Sequence, residues 1–510
     1  MNLYSLLATI TIILISGAAG AQKANDTLRM SVNQPIRLLD SIQNPNPEAS
    51  LISRNVNETL LAYDVTERRL RPRLAADWRM VDERTAEIKL RPGVKFHDGT
   101  PFTADDVIYT LEYVTDPKTN FLFKDSRFGW IEAFEKIGAD TVRIRSREVK
   151  ATILTKLVQV PPIVPAHLYK ENPMDFGRAP VGTGPFKVLS VDSAKGIVLE
   201  KFAGYTEVGI DPAAQVRRIE VASIADIQTK IAKLMVGELD LVFDLDADTA
   251  QSLVNHPTLK LTSSPTLSFS YIALDAADRS GIKVLKDKRV REALFRAIDR
   301  DKLRAALLSK EMADKPAQEA MCHPSLIGCS WSQKPVSYDP ARAKALLVEA
   351  GFADGFDLEI STWGQPRRAA EAVAGELRKI GVRATISNQT ANVFQKNRGD
   401  GKVQAMIVLW DNAAGQPDVE STSNFFFADS SRNYNADQDL IRWDREGSIT
   451  QDLRAREDIY RKLFDKVTEE RYAMPLVELP AVIAHDKDLL LMGGNGRPEG
   501  FNLNRVAWKK

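Results

Sequence analysis

The residue types best suited to acid–base, nucleophilic or metal chemistry are thinly spread in this chain. Five histidines (His97, His167, His256, His323 and His485) are scattered over 510 residues. None sits in the H-E-x-x-H pattern that puts two imidazoles on one helix face to hold zinc. There is no G-x-S-x-G nucleophile elbow, no C-x-x-C pair and no Rossmann glycine fingerprint. Asp and Glu are abundant, but the sequence alone brings no two of them across a scissile bond. Cys322 and Cys329, in CHPSLIGC, are the only cysteines. Even with His323 they fall short of the four ligands a structural zinc wants. In an exported protein they are expected to form a disulfide around Pro324 and Gly328, two free thiols being the alternative. His97, in HDGTP, reads as a turn histidine bonded to nearby backbone rather than as a catalytic group. GTGP (182–185) lacks the G-x-x-x-x-G-K-[ST] arrangement, so it places no lysine on a phosphate. No catalytic residue, metal site or cofactor is assigned, and a binding protein rather than an enzyme is expected.

Compartment follows from the first 21 residues, MNLYSLLATITIILISGAAGA, which contain no Asp, Glu, Lys or Arg. The ten-residue apolar run 6–15 is too short for a membrane span of ~20 residues. Ala19 and Ala21 form an A-x-A site before Gln22, the layout of a cleaved signal peptide. No Cys lies near that site, so export to the periplasm without a lipid anchor is expected. Lys plus Arg is 69 and Asp plus Glu is 68, so the net charge is 69 − 68 = +1. A chain so balanced has no overall field to draw in nucleic acid.

The elements that would position a site are legible in periodicity. In TAEIKL, Ala86, Ile88 and Leu90 alternate as in a half-buried strand. Val94 and Phe96 alternate again after Arg91-Pro92-Gly93, which predicts a hairpin-like pair. Thr103 and Asp106 form a capping-box variant for a helix burying Val107, Ile108, Leu111 and Val114. TVRIR (141–145) reads as a strand, PPIVPAHLY (161–169) as extended, and VGTGPFKV as a turn entering a strand. In the second half Val290, Leu294, Ala297 and Ile298 recur at helical spacing, and Pro340 and Gly351 can open and close a helix. FDLEIST, a helix over 369–380, VRATIS and the apolar run VQAMIVLW (403–410) alternate as in an α/β domain with a strand buried on both faces. PLVEL (475–479) is extended, and a Gly-rich tail follows.

Four blocks in order resemble the family-5 extracellular solute-binding proteins, the peptide- and nickel-type receptors of ABC importers. They are LRPRLAADWRMVDERTAEIKLRPGVKFHDGTPFTADDVIYTLEYV (70–114), APVGTGPFKV (179–188), DKRVREALFRAIDRDKL (287–303) and YDPARAKALLVEAGF (338–352). The resemblance implies an α/β, two-lobed periplasmic-binding-protein fold of the large, cluster C type with an extra subdomain in lobe one. Lobe one would comprise 22–55, 180–268 and 480–510, the subdomain 56–179, and lobe two 269–479. Lobes of this kind close on a solute by hinge motion.

Peptide binders of that family carry W-x-x-D, whose Asp pairs with the peptide ammonium. Here Trp410 matches but the third residue on is Ala413. Either Asp411 takes the role, or the ligand presents no free amine there, the reading favoured because an unpaired buried ammonium is costly. The expected solute is peptide-like, an opine or a sugar conjugate. Candidate contacts are Trp410, Asp411, Asn412, Tyr271, Asn33, Gln34, Trp363 and Arg367. The partner would be the membrane subunits of an ABC importer, with the receptor a monomer. A secreted hydrolase with a similar cleft and a sensory binding protein without an importer are the alternatives.

Overall fold

The computed structural model of the protein describes residues 25–44, 46–65, 67–121, 124–158, 161–207, 212–264, 266–308, 317–364, 366–411, 417–492 and 501–509. The expected export segment, the glycine-rich tail, and Asn412 and Ala413 lie outside them. Among the described residues, no helix is long and apolar enough to cross a membrane.

Three main sheets organise the chain. A seven-stranded sheet runs in the order Leu259–Ser264, Ala481–Asp486, Leu241–Val242, Thr27–Val32, Arg218–Ser223, Gly196–Lys201, Phe186–Asp192. Thr27–Val32 is parallel to Arg218–Ser223 and to Leu241–Val242, so their carboxyl ends point the same way. A five-stranded sheet has the order Arg383–Asn388, Asp357–Thr362, Ala405–Asp411, Ser268–Leu274, Ala473–Glu478. A third, four-stranded and antiparallel, is built from residues 75–146. The chain thus forms two α/β bodies, here lobe one and lobe two, and a smaller body attached to the first.

The run VQAMIVLW becomes the middle strand of the five-stranded sheet. Ala405 and Ile407 face one apolar cluster with the helices Lys288–Arg296, Pro340–Glu349 and Arg367–Arg378. Met406 and Val408 face the other, with Glu420–Phe427 and Leu453–Glu469. Alternate side chains point to opposite faces, so a strand covered on both must be apolar throughout.

The chain passes between the lobes twice, from Leu259–Ser264 into Ser268–Leu274 and back from Ala473–Glu478 into Ala481–Asp486. The crossings are tied side by side, Leu479 N–H donating to the Ser268 carbonyl at 3.0 Å and the Thr266 hydroxyl to the Leu479 carbonyl.

Two local expectations are corrected. The hairpin through Arg91-Pro92-Gly93 does not form, because Thr85–Leu90 is already paired on both edges, with Ala75–Asp82 and Thr141–Ser146. Val94 and Phe96 are instead buried in the subdomain core, and the isolated bridge Lys95–Pro101 closes the turn. In PPIVPAHLY, Ala166–Tyr169 is a short helix rather than extended chain. The Asp106 carboxylate accepts from Ala166 N–H at 3.0 Å, satisfying a donor at its first turn. The Thr103–Asp106 capping box is present as expected.

His97 joins the subdomain to lobe one. Its Nδ1 accepts from Gly182 N–H at 3.2 Å, and its Nε2 pairs with the Gly184 carbonyl at 2.9 Å. The GTGP turn is therefore committed to backbone packing, and a Cβ on Gly182 would fall 2.0 Å from the Val56 carbonyl oxygen. Burial pushes the His97 pKa down to about 4, and the proton that Nδ1 would have to carry competes with the Gly182 donor. The unfolded state takes up this proton near pH 6.5 and the folded state only near 4. The stability His97 supplies is therefore complete above about pH 6.5 and fades as pH falls through 4. The urea stability gap between the native protein and His97→Gln is expected to shrink by up to about 3 kcal/mol from pH 7 to pH 4. A gap independent of pH would refute this role.

Candidate ligand-binding cleft

At the carboxyl end of lobe one's parallel strands lies a cavity of about 200 Å³ whose walls include Ser31, Asn33, Glu48, Lys230, Phe243 and Asp244. Ligands of open α/β sheets bind outside such strand ends. Asn33 follows Thr27–Val32 directly. Its backbone N–H donates to Glu48 Oε1 at 2.6 Å, and its Oδ1 accepts from Lys230 Nζ at 2.5 Å. Asn46 caps the helix Pro47–Val56 and so places Glu48 in its first turn. Gln34 is exposed and does not line the cavity.

In lobe two, Trp363 and Trp410 stand at the carboxyl ends of two neighbouring parallel strands, Asp357–Thr362 and Ala405–Asp411. Both are half-buried against the same apolar cluster. Trp410 Nε1 donates to Thr422 Oγ1 at 3.1 Å, and its ring lies 4.7 Å from Phe425 and 5.1 Å from Phe426. These contacts set the ring's orientation while leaving part of it accessible. Asp411 closes the strand, its backbone paired with Ser268.

Tyr271 is placed differently from the cleft-facing position expected of it. It is 1 % exposed, packed edge-on against Phe426 at 4.9 Å, and burial pushes its pKa up to about 12. Arg367 is 59 % exposed and donates to Glu371 Oε1 at 2.8 Å within its own helix. Its neighbour Arg368 is the residue that reaches lobe one, lying 3.6 Å from Asp248 in the helix Ala247–Leu253. That ion pair shows the segment after Asp357–Thr362 lying close to the one after Leu241–Val242.

On another side the subdomain meets lobe two. Thr152 Oγ1 donates to Glu420 Oε2 at 2.6 Å, and Lys150 Nζ lies 3.0 Å from Glu420 Oε1. The Tyr63 hydroxyl donates to the Ser325 carbonyl, and Arg68 to the carbonyls of Leu326 and Cys329 at 3.2 and 3.3 Å. These acceptors lie in the loop closed by the Cys322–Cys329 disulfide, which is present. The same loop pairs with the segment 417–419: Ile327 N–H donates to the Pro417 carbonyl and Val419 N–H to the Ile327 carbonyl. Asp418 between them is fully buried and held in a two-pronged pair by Arg456, at 2.6 and 2.7 Å. Burial alone would lower the Arg456 pKa, but the Asp418 carboxylate more than reverses this and holds the guanidinium protonated.

The histidines take up separate local partners. His167 meets Asp98, His323 meets Glu478, His485 meets Thr262 and His256 meets Thr258. No group of three or more His, Cys, Asp or Glu side chains placed to hold a metal occurs among the described residues.

Lys230, Glu48, Arg368 and Glu420 were not singled out from the sequence. Lys230 had a signal: it lies three residues after Ile227 and four before Leu234, a charge on an apolar helix face. The others have no such mark, since charged residues in the first turn of a helix are commonplace.

Two α/β lobes joined by paired crossings, with strand ends gathered around a charged cavity and two half-buried indoles, define a two-lobed ligand-binding protein. The chain belongs to the bacterial extracellular solute-binding proteins, family 5, whose middle-region model matches residues 69–433. It is 26% identical over 494 residues to the glutathione-binding protein GsiB of Escherichia coli K12, covering 92% of each chain. In structure it is similar to HbpA2 from Haemophilus parasuis, with a TM-score of 0.82 and 20% identity over 95% of this chain and 100% of that one. A dipeptide binding protein from Pseudoalteromonas sp. SM9913, in complex with Met-Leu, gives a TM-score of 0.70 and 21% identity over 95% and 100% of the two chains.

Removing one partner of a buried ion pair strands the other's charge. Arg456→Met is expected to cost about 3–5 kcal/mol in urea unfolding, and the double change Asp418→Leu/Arg456→Met less than that. A single-variant loss below about 1 kcal/mol would show that the pair does not hold this region.

Proposed function

We propose that this protein is the periplasmic receptor of an ABC importer for a short peptide-like solute, exported through residues 1–21 and working as a monomer. The observation that carries the reading is the juxtaposition of the two sheets' carboxyl ends, marked by the Arg368–Asp248 pair beside the charged cavity. Membership in family 5 and similarity over nearly the whole length to GsiB support it. The solute enters between the lobes, and the paired crossings near Thr266 and Leu479 act as the hinge on which they close. Trp410 and Trp363 give it apolar flanks and Asn33 a polar contact, and Asp411 stays among the candidates at the end of its strand. Gln34, Asn412, Arg367 and Tyr271 complete the candidate set, Tyr271 acting from beneath through Phe426.

Ala413, where peptide binders of this family carry the ammonium-pairing Asp, favours a second reading: an opine or sugar conjugate without a free amine at that point. Mass spectrometry of solute released on denaturing the purified protein separates the two. A short peptide recovered intact is the expected result. Recovery of an opine or sugar conjugate, or turnover of the recovered solute by the protein, would overturn the peptide reading.

Trp410→Ala is expected to weaken solute binding at least tenfold, about 1.4 kcal/mol, with the melting transition still cooperative. Unchanged affinity in the folded variant would remove Trp410 from the site.

A further inference from the structure

The lobe-one cavity carries a charge pattern more specific than a generic peptide requires. Lys230 is 5 % exposed, on the buried face of the helix Ile227–Met235. Its ammonium has three donors to satisfy, and its hydrogen-bond acceptor among the described residues is the neutral Oδ1 of Asn33. Burial pushes its pKa below the usual lysine range, while Glu48 and Asp244 pull it back up. Ser31, in the strand Thr27–Val32, belongs to the same wall. Its hydroxyl is buried and has no hydrogen-bond partner among the described residues. An orphaned buried hydroxyl beside an under-coordinated buried ammonium marks a place for an acceptor-rich group supplied from outside.

That group is not a simple anion. Glu48 and Asp244 line the same cavity, and a bare carboxylate or phosphate on Lys230 would face them as like charges. Nor is it a simple cation, which would face Lys230. Both signs are met at full charge by a ligand that carries an anion and a cation a bond or two apart. We infer that the cavity receives a zwitterionic α-amino-acid head group, its carboxylate taken by Lys230 and Ser31 and its ammonium by Glu48 and Asp244. This rests on the peptide-receptor reading and narrows it.

An ordinary peptide has its ammonium and carboxylate at opposite ends. A γ-glutamyl peptide such as glutathione carries both on one carbon, because the side-chain carboxyl forms the peptide bond. Capture of the ammonium in lobe one also accounts for Ala413, since lobe two then needs no carboxylate at that position.

The test is isothermal titration of the purified protein with reduced glutathione, N-acetylglutathione and the α-linked isomer Glu-Cys-Gly. Glutathione is expected to bind, with acetylation and the α-linkage each weakening binding at least tenfold. Lys230→Met and Glu48→Gln are each expected to weaken glutathione at least tenfold, and acetylation to matter less in Glu48→Gln than in the native protein. Should Lys230→Met fail to fold, the ligand series on the native protein decides alone. If glutathione binds but the analogues and variants all stay within twofold, the head-group assignment is overturned and the receptor reading stands. Binding of other short peptides but not glutathione has the same meaning. If no short peptide binds, the peptide-receptor reading falls and the assignment falls with it.

Discussion

Lobe two's share of the cleft hangs on the ion pair between Asp418 and Arg456. A carboxylate with no exposure is tolerable only because the guanidinium meets both its oxygens, a planar match that lysine could not offer. Arg456 is itself anchored, its Nε donating to the Gly447 carbonyl at 2.8 Å. Around it the packing leaves no slack: a Cβ on Gly328 would fall 3.3 Å from Arg456 Nη1, and one on Gly447 would fall 2.6 Å from the Tyr460 ring. The disulfide loop, the segment 417–419 and the start of the helix Glu420–Phe427 all meet at this point. Thr422 and Phe425, which orient Trp410, are carried on that helix.

The same pair ties the cleft to the subdomain. Two residues beyond Asp418, Glu420 receives Thr152 and Lys150, while the disulfide loop receives Tyr63 and Arg68. The subdomain therefore contacts lobe two only a few residues from the candidate ligand wall. Most of these contacts are hydrogen bonds to carbonyl oxygens or to one carboxylate. Each such contact carries modest net energy. Each body, by contrast, is built around its own buried apolar clusters.

Long periodic segments were read correctly from sequence because their signal is local. The capping box at Thr103, the helix opened by Pro340 and the doubly buried strand ending at Trp410 all follow from neighbours a few residues apart. His97 is bonded to backbone, as expected, but not to nearby backbone: its partners Gly182 and Gly184 lie 85 and 87 positions away. The hairpin at 94–96 failed for the complementary reason. Alternation says that a segment can be a strand, but whether an edge is free depends on Thr141–Ser146, about fifty residues on. Tyr271 shows the same limit at the site, since its layer is set by packing against Phe426, and Arg367 opens the helix Arg367–Arg378 rather than lying in the loop before it.

By itself, the sequence determined the kind of elements, the family and the strand ends where a ligand would be sought, because hydrophobic period and capping chemistry act over one or two turns. Only the tertiary structure decided which charges face one another. Lys230, Asn33 and Glu48 come together from separate elements up to 197 residues apart, as do Arg368 and Asp248 from different lobes. With a net charge of +1, no overall field attracts a solute, so a charged solute would have to be met by local groupings of this kind. A grouping is made by folding distant strand ends together, and no spacing along the chain records it.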